Sequence, residues 1–81
     1  MAVLKDAETR PLKLEQVREL TADDLQTELD RLVEARFRLR HRAATEDLDN
    51  KLQFRILRRN IARLRTVVRE RELGAARGGE S

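Results

Sequence analysis

Apolar residues recur at helical spacing in two long stretches of the chain. In the second stretch they are Phe54, Leu57, Ile61, Leu64 and Val68, which are separated by three, four, three and four residues. This spacing places all five side chains on one side of an α-helix. Since neither Gly nor Pro interrupts the run, the pattern predicts a helix over about residues 51–73, with Gly74 just beyond its end.

The first stretch predicts a helix over about residues 22–44. Thr21 precedes it as an N-cap, and acidic residues follow in the first turn, where they favour the positive end of the helix dipole. Arg36 falls within the apolar side, so it either extends its guanidinium outward or marks where that side widens toward Phe37. The apolar positions are Leu25, Leu29, Leu32, Leu39 and Ala43, with Val33 on the flank.

Two helices of similar length joined by a short polar turn predict an antiparallel hairpin, an all-α fold. The turn is expected over residues 45–50, and a short N-terminal helical segment is expected before Thr21, so that the hairpin unit spans 12–73. Residues 1–11, which end in Pro11, show no apolar period and are expected to form an extended tail. Residues 74–81 are expected to be a flexible tail, and neither tail is expected to be needed for the hairpin.

Basic residues cover the side of the second helix that faces away from its apolar side. We call this surface the arginine face. No acidic residue lies between Lys51 and Arg69, whereas a merely solvated helix surface usually mixes charges of both signs. Arginine suits bidentate contacts with phosphate, so the pattern favours a nucleic-acid contact. The arginine face consists of Lys51, Arg55, Arg58, Arg59, Arg65 and Arg69, with Ala62 and Thr66 in its middle and Arg63 at its edge.

The charge distribution supports this interpretation. The 81 residues carry a formal net charge of +3, but residues 1–34 contain nine acidic and five basic side chains. Residues 51–73 contain eight basic and two acidic side chains. An acidic beginning with a basic second half is typical of a nucleic-acid-binding protein whose contact surface lies in that half.

The residues that most enzymes need are scarce. The chain has no Cys, its single His is His41, and its single Ser is Ser81 in the C-terminal tail. Glu46, Asp47 and Asp49 lack the spacing and the Gly of a calcium loop. We therefore expect no catalytic activity, no metal site and no cofactor. No secretory signal and no apolar run long enough to span a membrane is present, which predicts a cytoplasmic protein without a membrane partner.

The turn and the second helix carry motifs of a known family. Phe37, Leu39 and Arg40 are followed by Ala44, Thr45, Leu48 and Asn50 in the spacing Phe-x-Leu-Arg … Ala-Thr-x-x-Leu-x-Asn. The run from Leu57 to Thr66 reads Leu-Arg-Arg-Asn-Ile-Ala-Arg-Leu-Arg-Thr and precedes Arg-Glu-Arg-Glu at 69–72. In these motifs the chain resembles the large-subunit ribosomal proteins of the L-twenty-nine family. It departs from them at Arg36 and His41, where the family usually has Leu and Phe, and at Glu46, where Gly is common.

The resemblance implies a structural component of the large ribosomal subunit, bound to ribosomal RNA near the peptide exit tunnel. It also implies a neighbouring protein of the L-twenty-three family and a surface on which chaperones or targeting factors dock. Together with the basic pattern, it predicts an RNA contact formed by Arg40, Arg42, Thr45, Lys51, Arg55, Arg58, Arg59, Ala62, Arg63, Thr66 and Arg69.

Two other functions fit a basic helical hairpin less well. A coiled-coil adaptor that binds another helical protein would show continuous heptads with balanced charges beside them, whereas Arg36 interrupts the apolar side here. A membrane-surface helix would show aromatic residues at its apolar boundary and a lysine-rich polar side, but Phe37 and Phe54 are the only aromatic residues.

Overall fold

The computed structural model describes Leu4 and the ranges 6–46 and 50–80, with side chains for all of these except Glu46 and residues 75–80. It contains the helices α1 (Leu14–Arg18), α2 (Ala22–Glu46) and α3 (Lys51–Glu80), and no strand within the described ranges. The predicted all-α hairpin with a short N-terminal helical segment is confirmed.

Helices α2 and α3 run antiparallel and form most of the core. Ala22 and Leu25 lie beside Val68 at the open end, and Ala43 and Phe54 lie together near the turn. Most of the apolar positions expected to face inward do so. Val67 is buried and Val68 only half-buried, which rotates the inward side of α3 slightly from the predicted one. The buried apolar side chains are Ala7, Leu12, Val17, Leu20, Leu25, Leu32, Ala35, Leu39, Leu57, Ile61, Leu64 and Val67.

Helix α2 begins as predicted. The Thr21 hydroxyl accepts a hydrogen bond from the Asp24 amide at 3.1 Å, which satisfies one of the free N–H groups of the first turn. The helix ends at Glu46, two residues later than expected, a difference of the size common at helix ends. Of the predicted turn at 45–50, residues 47–49 lie outside the described ranges.

Helix α3 does not stop at Gly74. It continues to Glu80, so the interpretation of residues 74–80 as a flexible tail is wrong as far as their helical backbone is concerned; Ser81 lies outside the described ranges. Glycine stops a helix by adopting a left-handed conformation, and Gly74 does not adopt one. Within a helix it costs only about 1 kcal/mol relative to alanine.

The N-terminal segment differs most from its prediction. Residues 6–10 form a turn in which the Arg10 amide donates to the Asp6 carbonyl at 2.7 Å. Ala7 and Leu12 are buried in the hairpin core. The extended tail expected over residues 1–11 is therefore wrong for 6–11, while residues 1–3 and 5 lie outside the described ranges.

Asn60 on α3 holds this segment in place. Its amide nitrogen donates to the carbonyls of Ala7 at 2.6 Å and Arg10 at 2.9 Å, and its oxygen accepts from the Leu12 amide at 2.9 Å. The Asn60 side chain is fully buried. Because an unpaired buried polar group is costly, one amide that satisfies three backbone groups fixes the register of the segment on the helix.

Arg31 on α2 makes a second attachment. Its guanidinium donates to Glu8 at 3.1 Å, to the Leu4 carbonyl at 2.8 Å and to the buried Glu28 at 2.6 Å. At the open end, Arg71 of α3 donates to the Arg18 carbonyl at 2.9 Å and so attaches the end of α1. Polar bonds as well as apolar contacts therefore attach the N-terminal segment to the hairpin.

Candidate nucleic-acid interface

The arginine face lies on the outer surface of α3. Its basic side chains at 51, 55, 58, 59, 65 and 69 are all exposed, and so are Ala62 and Thr66. A turn of 3.6 residues brings them into one broad strip about five turns long. The spacing of the basic residues therefore produces the continuous surface that the sequence predicted, on the side opposite the buried Leu57, Ile61 and Leu64.

None of the six basic residues of the arginine face forms an ion pair or a side-chain hydrogen bond with any described residue. Elsewhere in the described ranges, by contrast, Arg18, Arg31 and Arg71 all have partners. Charges of one sign at i, i+3 and i, i+4 repel one another, as Arg55 does with Arg58 and Arg59. Binding an anion neutralises these charges and lowers the free energy of such a face.

The middle of the arginine face carries two small side chains, Ala62 and Thr66. Ala62 offers only a methyl group, and the Thr66 hydroxyl donates to the Ala62 carbonyl at 2.7 Å. The hydroxyl proton of Thr66 is therefore already used in a hydrogen bond within α3. A bulky anionic surface can therefore approach the backbone of α3 between the flanking guanidinium groups.

Arg63 stands apart from the rest of the predicted set. It is half-buried, and its guanidinium lies 3.4 Å from the Asn60 oxygen. The structure thus turns Arg63 toward the N-terminal segment at the edge of the arginine face.

Arg40 joins the arginine face from the other helix. It lines a groove between α2 and α3 that Arg58 of α3 also lines. The remaining walls are Arg36, Ala43, Ala44 and Phe54, and none of the described residues lining this groove is acidic. Arg36 and Phe54 were not among the predicted contact residues. The sequence feature that could have indicated this groove is Arg36 itself, an arginine that interrupts the apolar side of α2.

Arg42 and Thr45 lie elsewhere. Residues two apart on a helix point to nearly opposite sides, and Arg42 lines a different groove, with Glu8, Arg38 and Gln53. The Thr45 hydroxyl is 3.1 Å from the His41 carbonyl and 3.2 Å from that of Arg42, both on its own helix. The structure therefore does not bring Arg42 and Thr45 together with the arginine face.

The described residues offer few other kinds of site. They contain no group of three His, Asp or Glu side chains that could hold a metal ion. Among their helices, none has the length and apolar character needed to cross a membrane.

Comparisons to known proteins identify relatives of this chain. Residues 15–71 match the model of the family described as ribosomal L29 protein. A protein of Gemmatimonas aurantiaca named large ribosomal subunit protein uL29 is 52% identical over 67 residues, covering 83% of this chain and 98% of that protein. Proteins of the same name from Caldanaerobacter subterraneus and Caldicellulosiruptor bescii are 44% and 39% identical. They cover 82% and 86% of this chain, and 100% and 97% of their own lengths are aligned.

No solved structure gives a significant match. The family model nevertheless covers all of α2, residues 51–71 of α3 and most of the buried core, and the aligned relatives are matched over nearly their whole lengths. The chain therefore belongs to the ribosomal L29 protein family.

Proposed function

We propose that this protein is a structural component of the large ribosomal subunit, that it acts in translation, and that its arginine face binds ribosomal RNA. The carrying observation is that six exposed basic side chains share one side of α3 without a partner among the described residues. In the cytoplasmic ribosome, RNA phosphates would supply the missing anions. Family membership supports the ribosomal location.

Each arginine on this face can neutralise about one phosphate. The binding constant then depends on salt, because every neutralised phosphate releases condensed counterions. Arg58, Arg59 and Arg69 form the centre of this contact in the proposal, with Lys51 and Arg55 extending it toward the turn. Arg40 contributes from α2. Arg42, Thr45 and Arg63 belong at most to the border of the contact, since the structure directs them elsewhere.

The test is titration of large-subunit ribosomal RNA across a salt series. Replacing Arg58, Arg59 and Arg69 with Gln preserves length and helix propensity. The slope of log affinity against log salt should fall by roughly two to three units. Circular dichroism checks that the hairpin remains folded.

A matched control removes the same charge from another part of the surface. Arg10, Lys13 and Arg38 are exposed and lie outside the arginine face, so replacing all three with Gln should change the slope much less. If both triple variants behave alike, binding depends on net charge alone, and the assignment of this face fails.

A single substitution tests the centre of the face. Ala62→Glu places bulk and negative charge among the guanidinium groups without touching the core, so it should weaken RNA binding strongly. Ala22→Glu adds the same charge at the exposed start of α2 and should have little effect. Unchanged affinity in folded Ala62→Glu would contradict the proposal and favour the coiled-coil adaptor instead.

A second surface suits a protein neighbour. Phe37 is 72% exposed and lines a groove with Leu29 and Val33. Asp30 and Glu34 supply acidic groups there, and Arg65 of the arginine face also lines the groove. An exposed aromatic residue beside half-buried aliphatic ones is typical of protein contacts. We assign this surface to the neighbouring protein of the L-twenty-three family beside the exit tunnel, or to a factor that docks there.

A further inference from the structure

We propose that the groove formed by Arg36, Arg40, Ala43, Ala44, Phe54 and Arg58 binds one unpaired nucleotide of the RNA. This inference rests on the proposed function, and it adds a second mode of recognition to the phosphate contacts of the arginine face. The groove binds the base, and the arginines at its rim bind the adjoining phosphates.

The floor of the groove is apolar. Phe54 is half-buried, so part of its ring packs on the core and part remains open to the groove. Ala43 and Ala44 also line the groove and add only methyl groups, so no bulky side chain of theirs fills it. Every base has a flat π-face that stacks on an aromatic side chain, and such stacking tolerates any sequence.

The rim of the groove is cationic. Arg36 and Arg40 rise from α2 and Arg58 from α3, and none of the three pairs with a described residue. A protein segment seated here would have to bring several carboxylates. A nucleotide brings a planar base and a phosphate together, which matches an apolar floor between guanidinium groups.

The position of the groove makes the two contacts compatible. Arg58 belongs both to the groove and to the arginine face, so the two surfaces are continuous. An RNA strand whose phosphates lie along α3 can turn one unstacked base over Arg58 toward Phe54. Base-paired nucleotides cannot enter, because their faces are covered by their neighbours in the stack. The groove therefore selects a bulge or a loop rather than a uniform duplex.

Three RNAs separate the contributions: an uninterrupted duplex, the same duplex with one bulged adenosine, and the same bulge with an abasic nucleotide. The abasic RNA keeps the extra phosphate and the bend, so only the base differs. The protein should bind the adenosine bulge roughly tenfold more tightly than the abasic bulge. It should bind the uninterrupted duplex with the salt dependence of phosphate contacts alone.

Two variants locate the effect. Phe54→Leu removes the aromatic ring, and Ala44→Leu fills the groove from an exposed position without changing any charge. Each should abolish the preference for the base and leave duplex binding within about twofold. Phe37→Leu is the matched control, since it removes an aromatic ring outside the groove and should keep the preference. Circular dichroism verifies folding, and Ala44→Leu remains informative if loss of the Phe54 ring loosens the core.

The outcomes distinguish this inference from the proposed function. Equal affinity for the adenosine and abasic bulges, with salt-dependent duplex binding retained, overturns the nucleotide site and leaves the arginine face intact. A preference that survives in folded Ala44→Leu and Phe54→Leu places the base elsewhere and also overturns it. Failure of the wild-type protein to bind any of the three RNAs at low salt counts against the proposed function itself.

Discussion

The two sides of α3 use polar residues in opposite ways. On the side that packs against the N-terminal segment, Asn60 and Arg71 form hydrogen bonds with backbone groups of that segment and of α1. On the opposite side, the arginine face has no partner among the described residues. Both sides lie on one continuous helix. Their polar groups differ because the N-terminal segment and α1 cover one side, whereas the arginine face is exposed.

This contrast separates the residues that stabilise the fold from those available for binding. Polar groups that are already paired and buried contribute to the free energy of unfolding. Exposed charges that repel one another contribute nothing to it, or oppose it, until an anion arrives. Substitutions on the two sides should therefore change different measured quantities.

The largest effect on stability is expected at Asn60. Replacing it with Leu leaves two carbonyls and one amide of the N-terminal segment without partners, which should lower the free energy of unfolding by roughly 3 kcal/mol or more. Since a chain of this size rarely has more than ~3–5 kcal/mol in total, the variant should be largely unfolded near room temperature. Thermal melts followed by circular dichroism measure this.

Gln53 provides the control for Asn60. It is a half-buried amide on the same helix without a hydrogen bond to any described residue, so Gln53→Leu should change the melt little. Similar melts for Asn60→Leu and wild type would show that the N-terminal segment does not stabilise the hairpin.

A smaller loss of stability is expected at Arg31. Arg31→Met keeps the apolar stem but removes the guanidinium bonds to Glu8, Glu28 and the Leu4 carbonyl. The expected cost is about 2 kcal/mol, in the range for hydrogen bonds to charged groups. Arg38 on the same helix is exposed, so Arg38→Met should leave the free energy of unfolding almost unchanged. Urea titration of both variants measures the difference, and equal midpoints would contradict the assigned role of Arg31.

The smallest effect on stability has the opposite sign. Replacing Arg58, Arg59 and Arg69 with Gln removes the like-charge pairs that they form with Arg55 and Arg65. Each of these three pairs is worth roughly 0.2–0.5 kcal/mol, so the free energy of unfolding should rise by about 0.6–1.5 kcal/mol. The gain should fade as salt is raised, because exposed charges are screened. A clear destabilisation would show that these arginines have structural roles, and would remove the contrast between the two sides of α3.

The sequence predicted the features that depend on local periodicity. Both long helices, the cap at Thr21 and the exposed arginine face follow from residue spacing on one helix. The N-terminal segment could not be predicted this way, because Ala7 and Leu12 show no period and are held by a residue 48 to 53 positions later. The available clue was Asn60 itself, which falls on the apolar side between Leu57 and Leu64. A polar residue there must have buried partners.

The candidate contact surface was predicted unevenly for the same reason. Residues on α3 fell into place because one helix sets their relative directions. Arg40 and Arg42 look equivalent in the sequence, yet Arg40 lines the groove that contains Arg58 and Arg42 lines the groove that contains Glu8. Which side of α2 faces the arginine face depends on how the two helices pack, and the charge pattern does not encode it.

The attachment at Asn60 also has a consequence for the order of folding during synthesis. The N-terminal segment is made first, but its hydrogen-bonding partner is made about 50 residues later. At roughly 5–20 residues per second, this leaves an interval of several seconds. During that interval Ala7, Leu12 and Val17 have no α3 to cover them. The bonds from Arg31 of α2 to Glu8 and to the Leu4 carbonyl can form earlier, but the segment can complete its native contacts only after Asn60 has been made.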